Sequence, residues 1–96
     1  LALARAHLHD GIGVAALARA AGMSLSRFHL RCRAELGESP ARWLRRERIQ
    51  RAKPLLRAGH RVTTVALRLG FASSQHFAAV FRAQTGMSPR AWMQRR

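Results

Sequence analysis

The chain has 96 residues, 48% of them apolar, and a formal net charge of +14 from 18 Lys and Arg against 4 Asp and Glu. That length suits one domain, the apolar share is too high for a disordered tail, and no apolar run approaches the roughly 20 residues of a membrane span. No signal-peptide pattern opens the chain. Ala and Leu together number 30 while Val, Ile and Thr number 9, so helix formers dominate and strands have little to build on. An all-α domain follows.

The charge is unevenly placed. Asp10, Glu35, Glu38 and Glu47 all lie in the first 48 residues, and residues 49–96 carry nine basic residues and no acid. A small domain that repels itself this strongly points to a polyanionic partner. A GC-rich coding sequence explains a preference for Arg over Lys but not the shortage of acids. Cys32 is the only cysteine, which excludes a disulfide framework and a thiolate zinc set and fits a reducing cytoplasm.

In chain order, residues 1–9 predict a short leading helix closed by Asp10 and Gly11. Residues from Val14 predict a second helix that ends near Gly22, with Ala18 on its inner face. Ser24 is an N-cap for a third, whose Phe28, Cys32 and Leu36 recur at i, i+4 and i+8 as a buried stripe. Gly37 ends it, and Ser39-Pro40 starts the next as N-cap plus N1 proline. Residues 41–57 predict one long bridging helix of about 25 Å. Its apolar positions are Trp43, Leu44, Ile49, Leu55 and Leu56, its solvated ones Arg45, Arg46, Arg48, Arg51 and Arg57, and Pro54 is expected to kink or shorten its last turn.

The rest repeats the beginning. Val14, Leu17, Ala18 and Gly22 match Val62, Val65, Ala66 and Gly70 at an offset of 48, while Phe28, Gly37, Ser39-Pro40 and Trp43 match Phe77, Gly86, Ser88-Pro89 and Trp92 at 49. One extra residue between Gly70 and Phe77 accounts for the change. Ser73 caps the second copy's middle helix, and Phe77 and Phe81 are its buried stripe with Val80 beside them. Each copy spells a helix-turn-helix followed by a packing helix. Seven helices are expected: a first unit over about 1–40, the bridge over about 41–57, and a second unit over about 60–96. Gly13 and Arg61 are weak caps, so the helices after them depend on tertiary packing.

The segments ALARAAGMS (16–24), AELGESPARWLRR (34–46) and VALRLGF (65–71), with the F-x-x-x-F-R-x-x-x-G-x-S-P-x-x-W pattern over 77–92, resemble the DNA-binding domain of AraC/XylS-type bacterial transcription regulators. The resemblance covers essentially the whole chain. It implies two recognition helices set in successive major grooves on one face of double-stranded DNA, with ligand sensing or dimerisation carried by a separate domain. Since the chain starts at Leu1, it is expected to be the C-terminal piece of a longer protein.

With Phe28 and Cys32 inward, the first recognition helix turns Ser26, Arg27, His29, Leu30 and Arg33 outward. The resemblance places base contacts on Ser26, His29 and Leu30. Leu30 departs from the long polar residue often found there, and Arg31 stands at an often apolar place from which it can snorkel to phosphate. In the second copy Ser74, Gln75, His76 and Ala79 face out; Gln75 can pair bidentately with adenine, and Ala79 can offer only a thymine-methyl contact. Base-facing positions are therefore Ser26, Arg27, His29, Leu30, Ser74, Gln75, His76 and Ala79. Arg31, Arg33, Arg61, Arg68, Arg82 and Arg90 are assigned to phosphates, which position a protein without reading sequence.

Several conspicuous residues read more simply as structure: Cys32 as a small core residue where the second copy has Phe81, Trp43 and Trp92 as core anchors, His7 and His9 as facing different ways. No phosphate-binding glycine loop, His-Glu-x-x-His pair or carboxylate cluster points to catalysis, and no metal or cofactor is expected. The partners implied are double-stranded DNA and, for an activator, RNA polymerase; an effector would act through a domain absent from this chain, and the domain alone is expected to be monomeric and cytoplasmic, at the nucleoid. The competing readings are a non-specific architectural DNA-binding protein, a DNA-targeting appendage of a larger enzyme, and a partner-binding or membrane-surface helical domain. The last would need its arginines gathered on one helix, whereas they run through both copies.

Overall fold

The computed structural model describes residues 12–95, which form six α-helices and no strand: α1 (Val14–Ala20), α2 (Leu25–Leu36), α3 (Pro40–Arg57), α4 (Val62–Arg68), α5 (Ser74–Thr85) and α6 (Pro89–Gln94). The leading helix expected over residues 1–9, with His7, His9 and Asp10, lies outside the described residues. The other six expected helices are all present.

The repeat in the sequence becomes a repeat in geometry. The helices α1 and α4 have 7 residues each, α2 and α5 have 12. The turn after α1 carries hydrogen bonds from Gly22 N to Arg19 O (2.9 Å) and Met23 N to Ala18 O (2.9 Å), and the turn after α4 copies them as Gly70 N to Leu67 O (3.1 Å) and Phe71 N to Ala66 O (3.0 Å). This 5→2 and 6→1 pair needs a left-handed residue at its centre, and Gly22 (φ 70°) and Gly70 (φ 86°) supply it. Two residues, Phe71 and Ala72, then separate Gly70 from Ser73, where Met23 alone separates Gly22 from Ser24. That is the extra residue behind the change of offset.

Four serines cap as expected. The Oγ atoms of Ser24, Ser39, Ser73 and Ser88 accept from the N–H groups of Arg27, Arg42, His76 and Ala91 at 3.0–3.3 Å, each satisfying a donor that the helix itself leaves open. Gly13 and Arg61 make no side-chain cap bond. Packing holds those two helices instead, with Leu17 and Ala18 buried on α1 and Val65 and Ala66 buried on α4.

The bridging helix keeps its expected end and corrects the reading of one arginine. It runs through Pro54 to Arg57, so the last turn is not shortened there. Pro54 lies in the last turn and is exposed, so the lost bond falls on a helix end already held by Leu56, which is 1% exposed. The turn after it is closed at Gly59, with Gly59 N bonded to Leu56 O (3.0 Å) and His60 N to Leu55 O (3.2 Å). Arg48, expected among the solvated arginines, is half-buried. Its Nη2 donates to Ile12 O at 2.7 Å and its guanidinium lies 5.8 Å from the centre of the Phe71 ring. Burial pulls its pKa down from the ordinary arginine value. Arg45, Arg46, Arg51 and Arg57 are exposed.

Two cores lie along α3. Leu17, Ala18, Phe28, Cys32, Trp43 and Leu44 form one, with Leu36 at its edge. The other gathers Ile49, Ala52 and Leu56 of α3 with Val65, Ala66, Leu69, Phe71, Phe77, Phe81 and Trp92. Aromatic rings run through it in series: Phe71 to Phe77 at 5.1 Å, Phe77 to Phe81 at 5.7 Å and Phe81 to Trp92 at 5.9 Å between centroids. Trp43 and Trp92 are the core anchors expected of them, at 0% and 7% exposure. The molecule extends over 41 × 21 × 21 Å.

Candidate nucleic-acid interface

The two cores decide what α2 and α5 show to solvent. Phe28 and Cys32 on α2, and Phe77 and Phe81 on α5, are fully enclosed. At 100° per residue, Ser26, Leu30 and Arg33 then take the outer side of α2, and Gln75, Ala79 and Arg82 take the outer side of α5. The offset of 49 equates these triplets one for one.

On α2, Leu25, Ser26, His29, Leu30 and Arg33 line one shallow depression, so four of the expected residues come together there. Leu30 is 70% exposed, an apolar tip suited to a base methyl rather than to water. Arg27 is exposed on the other flank. Arg31 is held in an ion pair with Glu35, whose carboxyl sits below the usual carboxylate range because the Arg31 hydrogen bond favours its charged form.

On α5, Ser74, Gln75 and Ala78 share a depression with Val62, Thr63, Pro89 and Arg90. Arg61 and Arg90 both line the adjoining depression with Thr63, so one of the expected phosphate-binding arginines, Arg90, stands beside Gln75 and a second, Arg61, lies next to it. Ser74 Oγ donates to Gln75 Oε1 at 3.4 Å. His76 is exposed, yet its ring stands edge-on to Phe71 at 5.6 Å, a contact that holds it to the turn before the helix. Arg68 and Arg82 are exposed, on α4 and α5.

Residues that the sequence reading did not single out belong to the same surface. Thr63 and Ala78 line the depression that holds Gln75. Arg42 and Arg45 of the bridge face Val80, Ala83 and Gln84 across a groove, on the opposite flank of α5 from Arg90. Strict use of the repeat offset finds Ala78, the counterpart of His29; the bridge arginines have no such signal, because only the folded chain brings α3 alongside α5. Among the described residues no group of His, Cys, Asp and Glu could hold a metal.

Charge follows the same division. Glu35 pairs with Arg31, and Glu38 with Arg46 at 2.5 Å, so these two acids offset arginines of the first unit and of the bridge. Residues 49–96, which run from the bridge through the second unit, contribute nine basic residues and no acid.

Two helix-turn-helix units mounted in tandem on one bridging helix are the architecture of a double helix-turn-helix module. A family model described as "Helix-turn-helix domain" matches residues 17–95. The transcriptional activator RhaS of Escherichia coli O139:H28 is 36% identical over 85 residues, which is 88% of this chain and 31% of RhaS; the chain thus spans about a third of the curated relatives it matches. The DNA-binding domain of AdpA, a global transcriptional factor solved in complex with a target DNA, superposes with a TM-score of 0.82 at 38% identity, covering 97% of this chain and 85% of that one. An AraC-type regulator from Chromobacterium violaceum shares the fold at a TM-score of 0.87 and 22% identity, over 98% of this chain and 88% of that one. The chain belongs to the AraC/XylS-type family of helix-turn-helix domains.

Proposed function

We propose that this chain binds double-stranded DNA sequence-specifically as the DNA-binding module of a bacterial transcription regulator, with α2 and α5 in successive major grooves on one face of the duplex. One observation carries the reading. Two equivalent helices each turn a polar and basic face outward from a shared bridge, in a molecule 41 Å long, and successive major grooves on one face lie about 34 Å apart. Ser26, Arg27, His29, Leu30, Ser74, Gln75, His76 and Ala79 would meet base edges. Arg33, Arg61, Arg68, Arg82 and Arg90 would meet phosphates, with Arg31 joining them on release from Glu35. The same reading carries RNA polymerase as partner of an activating parent protein, an effector acting through another part of that protein, and a place at the nucleoid. No described helix is long and apolar enough to cross a membrane.

The test is selection from random duplexes followed by footprinting of the preferred site. Two protected segments about one helical turn apart are expected, with bulk genomic DNA competing far less well than the selected duplex. A footprint confined to one segment removes the two-groove arrangement. Equal competition by bulk DNA favours a non-specific architectural protein, since charge alone supplies binding without sequence preference.

A further inference from the structure

The residues Leu44, Arg48, Ala52 and Leu56 recur every four positions along α3, and all but Arg48 are buried. Along this stripe the bridge passes from the first core to the second: Leu44 belongs to one, Ala52 and Leu56 to the other. An apolar residue at position 48 would join the two cores into one. The chain puts a half-buried guanidinium there instead, and gives it one partner on each side. Its Nη2 donates at 2.7 Å to the carbonyl of Ile12, a residue 36 positions away that packs against the first core. Its central carbon lies 5.8 Å from the centre of the ring of Phe71, which is 4% exposed in the second core and touches both Phe77 and His76 at the start of α5.

Apolar packing between two cores tolerates sliding, whereas a hydrogen bond and a cation–π contact fix direction as well as distance. A charged group that loses water on burial is a poor device for stability, and its best-attested use is to specify one arrangement among several. We propose that Arg48 is a positioning residue that fixes the angle between the two helix-turn-helix units, and thereby the spacing and helical phase of the two DNA segments they bind. The second half of this proposal rests on the two-groove reading above; the first half does not. Arg48 lies on α3, which carries neither recognition face, so its effect would pass entirely through the orientation of α2 and α5.

The experiment compares the wild type with Arg48→Met, which keeps the length of the stem and removes both directed contacts. Arg48→Lys keeps the charge and one hydrogen bond but not the guanidinium that faces Phe71. Spin labels at Ala34→Cys on α2 and Ala91→Cys on α6, both exposed positions, in a Cys32→Ala background, report the distance between the units in free protein. Binding to the selected site, to its single half-sites, and to versions with one or two base pairs added or removed between the halves reports the consequence for DNA. Arg48→Met is expected to keep its helicity, to broaden the distance distribution, and to bind each half-site within about twofold of wild type. Its affinity for the intact site should fall about tenfold, because a looser link lowers the effective concentration of the second unit at its groove, and its preference for one spacing should flatten. Arg48→Lys should fall between. A distance distribution as narrow as wild type in either variant that folds overturns the proposal. A broadened distribution with an unaltered spacing preference upholds the strut and overturns the two-groove reading instead.

Discussion

Arg31 and Glu35 form an ion pair one helical turn apart on the exposed side of α2. The second unit has no such pair, since the repeat puts Val80 and Gln84 at the corresponding places. Exposed pairs of this kind add little to stability. Their effect here is on availability, because an arginine engaged by a carboxylate is half-neutralised before it meets a phosphate.

Glu35→Gln, which gives the first unit the residue of the second, is therefore expected to raise DNA affinity and to steepen its salt dependence by about 0.9 in the log–log slope, the share of one more neutralised phosphate. Because the Arg31 bond lowers the Glu35 pKa, the pair is fully formed above the ordinary carboxylate range and is lost only as pH falls through the lowered value. The difference between mutant and wild type should thus be constant from pH 6 to 8. A mutant with an unchanged slope, measured by fluorescence anisotropy over a salt series, shows that Arg31 does not reach the backbone.

Arg33, Arg61, Arg68, Arg82 and Arg90 remain as exposed phosphate candidates whatever Arg31 does. Five contacts predict a slope of about −4.5, or nearly three decades of affinity lost between 50 and 200 mM salt. An affinity that stays level across that range removes DNA as the principal partner. A slope near −1 would leave the assignment of most of these arginines without support.

How far the sequence could be read depends on the range of the interaction involved. The serine caps, the Pro40 and Pro89 starts and the glycine stops act within three or four residues, so their spelling is their structure. The outward turn of Gln75 was legible for a related reason: Phe77 and Phe81 fix the helix rotation. Arg48 was not legible, because periodicity counts a charge as solvent-facing and cannot see a carbonyl 36 residues away. The end of α3 at Arg57 was legible from its apolar positions, whereas the shortening expected at Pro54 does not occur, since burial of Leu56 against the second core outweighs one lost backbone bond. His76 belongs with Arg48. Its contact with Phe71 depends on the longer turn of the second unit.

The pair Cys32 and Phe81 measures how differently two equivalent positions carry load. Both are fully enclosed, but Phe81 has the rings of Phe77 and Trp92 within 6 Å. Phe81→Ala is expected to cost about 3–5 kcal/mol, enough to unfold much of the second unit, and Cys32→Ala about 1 kcal/mol; urea denaturation reads both. Burial also raises the Cys32 thiol pKa, so a thiol reagent at pH 8 should label it only after denaturant is added. Rapid labelling of the folded protein would place Cys32 outside the core.

The recognition face of α5 separates reading from holding. Among Ser74, Gln75, His76 and Ala79, Gln75 has the one side chain able to make two directed bonds to a single base. It is exposed and lies in the depression flanked by Thr63 and Arg90. Gln75→Ala is expected to cost about 1–3 kcal/mol on the preferred site and to relax the preference at one base pair. Arg82 follows seven residues later on the same side of the helix, about 10 Å farther along the axis, where a recognition helix entering by its N-terminus is leaving the groove floor for the backbone. Arg82→Ala should weaken binding to all sequences about equally and reduce the salt slope by about one unit. Site selection repeated with each variant decides the matter. If Arg82→Ala changed the selected bases while Gln75→Ala left them as they were, α5 would lie deeper along its length than at its start, and the two roles would have to be exchanged.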